Sequence, residues 1–261
     1  MKRRYLFFLT ALLLLVLCLL VGCAEDNTEP MTLSCRVIAV MDRELLLAAD
    51  GHPPIMALSP AANPKISVLR DGAAAPDGDA PIPGDWVLLT FSDGITETSP
   101  ALPRGVTQMD IISDGFDNLA AVYLQVLTDL AAEQASLIAD KSMLAVSLEA
   151  TALPAWERTA VVAALAQYIT GQYPAMTVIE ESRSDLIAKG FLTKDPDSPR
   201  WHWQDGSILS VSEITHKCTD RKRYFIAFFD LSHAWTGCHT ARDTETGIWL
   251  PYEKGGSMLI D

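Results

Sequence analysis

Five histidine and cysteine side chains near the end of the chain are the residues best suited to chemistry. They are His216, Cys218, His233, Cys238 and His239. Residues of these types hold zinc when four ligand atoms converge at about 2.0 to 2.3 Å. A cysteine also becomes a nucleophile when a histidine lies within hydrogen-bonding distance. Either chemistry depends on the strands that position these side chains.

The last third of the chain predicts three long strands, over residues 206–218, 223–234 and 238–255, which the polar segments TDRK and WTG join into an antiparallel meander. A turn at the first segment places Cys218 opposite Arg223, at one end of the middle strand. A turn at the second places Cys238 opposite His233, at the other end. The strand between the two cysteines is too long for a disulfide or a shared metal site. Cys238 and His239 are adjacent and point to opposite faces, so His233 and Cys238 are the pair that can meet.

The pair of His233 and Cys238 lacks an evident third group to orient it, and a cysteine is commonly a small buried apolar residue. The sequence therefore predicts no assembled catalytic site, no metal site and no cofactor. The alternative is an envelope hydrolase that uses His233, Cys238 and nearby carboxylates. A glycine-rich phosphate loop and the motifs GxSxG and HExxH do not occur in the sequence.

Aromatic and acidic residues offer further candidates. Trp201 and Trp203 flank His202, so a strand there places both indoles on one face. They lie either in the core or on an exposed platform for a sugar or peptide, and the core is the preferred interpretation. Carboxylates are densest in the runs AED, IEES and RDTETG. A carboxylate pair can hydrolyse a glycoside, but on an acidic protein such runs are typical of solvated surfaces.

A cysteine near the start of the chain has a more specific context. Basic residues at positions 2–4 precede the apolar segment Tyr5–Gly22, and acidic sequence begins directly after Cys23. Basic, apolar and small residues in that order are typical of a secretory signal peptide. The segment Leu20-Val21-Gly22-Cys23 resembles the lipobox of bacterial lipoproteins.

The lipoprotein resemblance implies that residues 1–22 are a signal peptide and that cleavage leaves Cys23 with a diacylglyceryl group on its thiol. Two or more acyl chains, such as palmitate, give stable attachment. We therefore expect a protein anchored to the cell membrane at Cys23, on the extracytoplasmic face. Residues 23–31 then form an acidic tether that reaches at most about 28 Å. The alternative is an uncleaved membrane helix in which Cys23 is incidental.

Charge narrows the range of partners. The 261 residues carry a formal net charge of −13, which becomes −16 once residues 1–22 and their three basic side chains are removed. Nucleic acids and anionic lipid surfaces are bound mainly by clustered lysine and arginine, and the short run DRKR at 220–223 is better interpreted as a turn. We expect no nucleic acid partner, and an unidentified protein or envelope ligand instead. Cys35, Cys218 and Cys238 are an odd number of cysteines, which does not suggest a disulfide framework.

Residues 32–112 predict a small antiparallel β-barrel. Short aliphatic and β-branched runs alternate there with turns rich in glycine, proline and aspartate. A DG turn is expected to join the strands Trp86–Phe91 and Ile95–Thr98. The order of these signals is similar to the OB-like β-barrels of YobA-like bacterial lipoproteins. The residues that carry this resemblance are Gly84-Asp85, Asp93-Gly94 and Glu97-Thr98-Ser99-Pro100.

Residues 113–261 predict an α+β domain, in which a helical segment packs on the C-terminal antiparallel β-meander. From Phe116 onward, apolar residues recur every three or four positions, which places them on one face of a helix. Pro154 begins a second helix and Ser182 begins a short third helix. An alternating segment between the first two helices predicts a strand.

These features together predict a protein of α+β class that is anchored by lipid outside the cytoplasm. The residues up to Cys23 specify the lipid anchor, whereas the rest of the chain shows no recognisable catalytic site. We therefore expect a binding or interaction module at the cell envelope, in preference to an enzyme.

Overall fold

The first part of the chain folds into a seven-stranded sheet. The structure, a computed structural model, describes residues 29–76, 78–194, 201–231 and 235–255. Alternate side chains of these strands point to one face and form an apolar core. The strands are β1 (Met31–Met41), β2 (Glu44–Ala48), β3 (Ile55–Leu58), β4 (Ser67–Arg70), β5 (Ala73–Ala74), β6 (Trp86–Phe91) and β7 (Val106–Ile112).

This sheet is open, so the predicted β-barrel is wrong in its closure. The strand order is β3-β2-β1-β6-β7-β4-β5, and β4 pairs with β7 in parallel, whereas the other pairs are antiparallel. A loop takes the outer edge of β3, where the Met56 amide donates to the Ala101 carbonyl at 2.8 Å. Because this loop already hydrogen-bonds to the outer edge of β3, no further strand pairs there and the sheet stays open.

The predicted pairing of Trp86–Phe91 with Ile95–Thr98 is also wrong. β6 pairs instead with β7, and the segment between them folds back on itself through an isolated bridge of Ile95 with Pro103. Met109 and Ile111 of β7 are fully buried in the core of the sheet. Burial of these side chains explains why β7 takes the place beside β6.

Three α-helices follow the first sheet in the described part of the chain. They are α1 (Leu119–Glu133), α2 (Ala155–Gln172) and α3 (Arg183–Ala188). α1 begins after Asn118 and not at Phe116, because the Asp117 carboxylate accepts the amide of the first helical residue at 3.0 Å. The second and third helices begin where predicted, and Ser182 and Asp185 form a capping box for α3.

The rest of the chain forms a six-stranded mixed sheet and a small two-stranded hairpin. The sheet strands are β8 (Met143–Ala150), β9 (Thr177–Glu180), β12 (Gly206–Glu213), β13 (Lys222–Phe229), β14 (Trp235–Ala241) and β15 (Glu253–Lys254). The hairpin strands are β10 (Thr193–Lys194) and β11 (Trp201–His202). The order β15-β14-β13-β12-β8-β9 confirms the meander of β12, β13 and β14.

Two strands whose pairing the sequence does not predict extend the meander into a mixed sheet, because β8 pairs in parallel with both β12 and β9. The connection from β8 to β9 runs through α2. A helical crossover of this length returns the chain in the same direction, which gives parallel neighbours. The crossover therefore adds β8 and β9 to the edge of the meander.

Helices α1 and α2 lie between the two sheets. Leu46 and Met56 of the first sheet pack on Ala164 of α2. On their other side the helices contribute to a large core with the second sheet, in which the rings of Tyr123 and Phe225 pack edge to face. α3 and the β10–β11 hairpin cover the far face of the second sheet. The predicted α+β class is confirmed.

Candidate functional site

The cysteine of the predicted Cys–His pair does not lie where predicted. Cys238 of β14 is opposite Phe225 of β13, and the same register pairs Phe228 with Trp235. The turn of this hairpin therefore falls before Trp235, whereas the predicted pairing of Cys238 with His233 needed a turn at Trp235 itself. That prediction is wrong, and His233 itself lies outside the described residues.

The cysteines of the described residues occupy positions typical of small apolar side chains. Cys35 and Cys238 are fully buried, and burial raises the pKa of Cys35 to about 12 and of Cys238 to about 11. Cys218 exchanges hydrogen bonds with the backbone of Tyr224 through its sulfur. The three cysteines are free. Neutral, buried thiols are poor nucleophiles.

The histidines and tryptophans also have ordinary structural partners. His239 stacks on Tyr224 at a ring distance of 5.8 Å, and its Nε2 lies 3.3 Å from a carboxylate oxygen of Glu253, while His216 lies in a short 3-10 turn. Within the described ranges, no three His, Cys, Asp or Glu side chains are arranged to hold a metal ion. Trp203 is buried, which confirms the core interpretation for that indole, whereas Trp201 is only partly buried against the same cluster.

The structure instead reveals a groove along α1, which we call the α1 groove. Its volume is about 620 Å³. α1 forms one wall, over about 16 Å at 1.5 Å per residue, and the irregular segment before β15 forms the other. The residues that line it are Asn118, Ala121, Val122, Gln125, Asp129, Ile248, Trp249, Pro251, Tyr252 and Lys254.

The far wall of the α1 groove is fixed to the helix at one end. The Asn118 side chain donates to the Trp249 carbonyl and accepts the Trp249 amide, both at 2.8 Å. The Trp249 ring is buried, and the guanidinium groups of Arg223 and Arg242 lie over it at 5.7 and 5.8 Å. These contacts fix the position of this wall relative to α1.

Asp129 is the central polar group of the α1 groove. Its carboxylate accepts hydrogen bonds from the Gln125 amide at 2.8 Å and from the Tyr252 hydroxyl at 2.7 Å. Burial raises the pKa of Tyr252, and the hydrogen bond to Asp129 raises it further. Tyr252 therefore stays a neutral donor. At the end of the groove, Lys254 forms an ion pair with Glu133.

A second groove lies on the other side of α1, between that helix, α2 and the end of β1. It has a volume of about 490 Å³, and its lining includes Ile38, Met41, Leu124 and Tyr168. Ala121 and Gln125 line both grooves. They form the ridge between them, so Gln125 is reached from either side.

Sequence reasoning missed the α1 groove because it treated 238–255 as one continuous strand. In the structure β14 ends at Ala241, and a turn held by the Asp243 carboxylate separates it from β15. The run RDTETG carried the signal for this turn, since aspartate and glycine favour turns. It was interpreted as an acidic surface.

The predicted lipid site, Cys23, and the predicted signal peptide lie outside the described residues. No helix in the described part of the chain is long and apolar enough to cross a membrane. Comparison of the sequence with protein-family models and with curated proteins finds no match.

Proposed function

We propose that the protein is a lipid-anchored, extracytoplasmic binding protein and that the α1 groove is its binding site. The observation that carries the proposal is the groove itself. It is concave, one of its walls is held to α1 by hydrogen bonds, and its lining is mainly apolar and aromatic with a few fixed polar groups. These are the general properties of sites for small molecules and short peptide segments.

Anchoring is supported by the lipobox-like residues before Cys23 and by the position of the first strand. β1 begins at Met31, eight residues after Cys23. A fully extended connection of that length spans at most about 28 Å. An anchored protein would therefore bind its ligand close to the membrane surface.

A photoreactive amino acid at Gln125 tests the binding site in cells that express the full chain. Gln125 is exposed and lines the α1 groove, so we expect an adduct after illumination. Gln167 is the matched control, because it is an exposed glutamine of α2 that lines the second groove and not the α1 groove. The same adduct at both positions, or none at Gln125, would contradict the proposed site.

Metabolic labelling with a palmitate analogue tests the anchor. We expect the wild-type chain to carry the label and to sediment with membranes, and Cys23→Ala to lose the label. Cys18→Ala is the matched control, since Cys18 lies in the apolar segment and should leave labelling unchanged. Wild-type protein without label would overturn the anchoring proposal.

A further inference from the structure

We infer that the α1 groove selects ligands that combine an apolar body with a positively charged amino group. This inference rests on the proposed function, because it names the chemical class of ligand for the same groove. It follows from the charges and donors around Asp129.

Asp129 is an anion with neutral partners only. Among the described residues it forms no ion pair, and its two hydrogen bonds come from Gln125 and Tyr252. A carboxylate has about four acceptor sites, so two remain for a ligand. A positively charged donor gives the stronger type of hydrogen bond at such a site.

The cations near the α1 groove are already engaged. Lys254 lines the groove, but its ammonium group is paired with Glu133. Arg223 is paired with Glu213, and Arg242 donates to the Gly247 carbonyl at 2.6 Å. Neither arginine lines the groove. The described residues offer an anionic ligand no unpaired cation in the groove, and Asp129 would repel it.

The remaining lining suits the apolar part of the ligand. Val122, Ile248 and Pro251 present aliphatic surface, and the ring of Tyr252 lies beside the carboxylate that it contacts. Aromatic rings attract cations to their faces. The apolar body and the ammonium group of one ligand would therefore both be accommodated.

Three probes with the same body and different charge test this inference. They are 2-phenylethylamine, 2-phenylethanol and 3-phenylpropanoate, titrated by ligand-detected NMR into the full chain in phosphatidylcholine nanodiscs. We expect the amine to bind and the other two to bind at least about tenfold more weakly, as a charge-assisted hydrogen bond requires. Equal or tighter binding of the alcohol or the acid would overturn the inference.

Substitutions in and away from the α1 groove test whether the amine binds at Asp129. Asp129→Asn keeps an oxygen acceptor for Tyr252 but removes the charge, so amine affinity should fall about tenfold. Asp140→Asn is the matched control, because Asp140 is an exposed carboxylate away from the groove, and it should change nothing.

The outcomes separate the two proposals. If the neutral or anionic probe binds at least as tightly as the amine and Gln125 still gives its specific adduct in cells, the charge selection is wrong and the groove remains the site. If all three probes fail while the adduct forms, this ligand class is again wrong. If the adduct is absent, the proposed function fails independently of these titrations.

Discussion

At the scale of single residues, the most consequential polar contact is the buried pair of Arg36 and Glu157. Arg36 of β1 contacts Glu157 of α2 at 3.1 Å, and both side chains are largely buried. The guanidinium also donates to the carbonyls of Gly84 and Gly115. Burial raises the pKa of Glu157, and the charge of Arg36 opposes that rise. Glu157 is therefore an ion that depends on its partner.

The substitution Arg36→Met should leave Glu157 buried without a cation. Removing one partner of a buried pair costs about 3 to 5 kcal/mol. The pKa of Glu157 in the folded state should then rise further above its unfolded value near 4.5. The folded state would bind the extra proton, so stability should fall as pH rises through the folded-state pKa. Urea unfolding at pH 5 and pH 8 should show the larger loss at pH 8.

Arg183→Met is the matched control for that experiment. Arg183 pairs with Asp230 at 3.0 Å, but its side chain is 44% exposed. An exposed pair contributes at most about 1 kcal/mol. Equal losses in the two variants, or a loss in Arg36→Met that does not depend on pH, would contradict this account of Glu157.

At the scale of elements, Gly206 determines how the β10–β11 hairpin sits on the second sheet. A Cβ atom at Gly206 would lie only 2.1 Å from the ring of Trp203. Gly206→Ala should therefore displace the indole and destabilise the protein by about 1 to 3 kcal/mol. Thermal unfolding with near-ultraviolet circular dichroism would measure both the loss of stability and the changed indole environment.

A second glycine provides the opposite expectation. Gly171 lies near the end of α2, and a Cβ atom there would meet nothing within 4 Å. Alanine favours helix over glycine by up to about 1 kcal/mol, so Gly171→Ala should be neutral or stabilising. If both alanine variants behaved alike, the close approach of Trp203 would not explain the role of Gly206.

Elements with local signals could be predicted from the sequence, whereas pairings between distant segments could not. The strand Trp86–Phe91 and the helix after Pro154 have local signals, namely alternation and capping residues. The hairpin register before Cys238 has a weaker local signal. The segment WTG predicts the turn of this hairpin, but Gly237 lies within β14 opposite Ile226. Burial of Phe225 and Cys238 against the helices fixes the register instead.

The α1 groove was beyond sequence reasoning for a related reason. Gln125 and Asp129 are four residues apart on a helix, so their contact could be expected. Tyr252 reaches Asp129 from a segment more than one hundred residues later. Only the folding of that segment against α1 brings the three side chains together.

At the scale of the whole molecule, the two sheets share one layer of helices. The boundary expected between residues 32–112 and 113–261 is crossed by contacts of several kinds. Leu46 and Met56 pack on Ala164, and Ile38 and Ala48 belong to the same core as the second sheet. The buried pair with Glu157 crosses the boundary as well. Separation of either sheet from the helices would expose apolar side chains of the helices.

This shared layer predicts that a cavity at its centre weakens both sheets. Leu46 is fully buried between β2 and α2, so Leu46→Ala should cost about 2 to 5 kcal/mol. Because the helices support both sheets, amides of β6 and of β13 should lose hydrogen-exchange protection by a similar amount. Leu186→Ala is the control, since Leu186 packs α3 on the far face of the second sheet and should leave β6 protection higher than in Leu46→Ala. Loss confined to the first sheet in Leu46→Ala would mean that the two parts unfold independently.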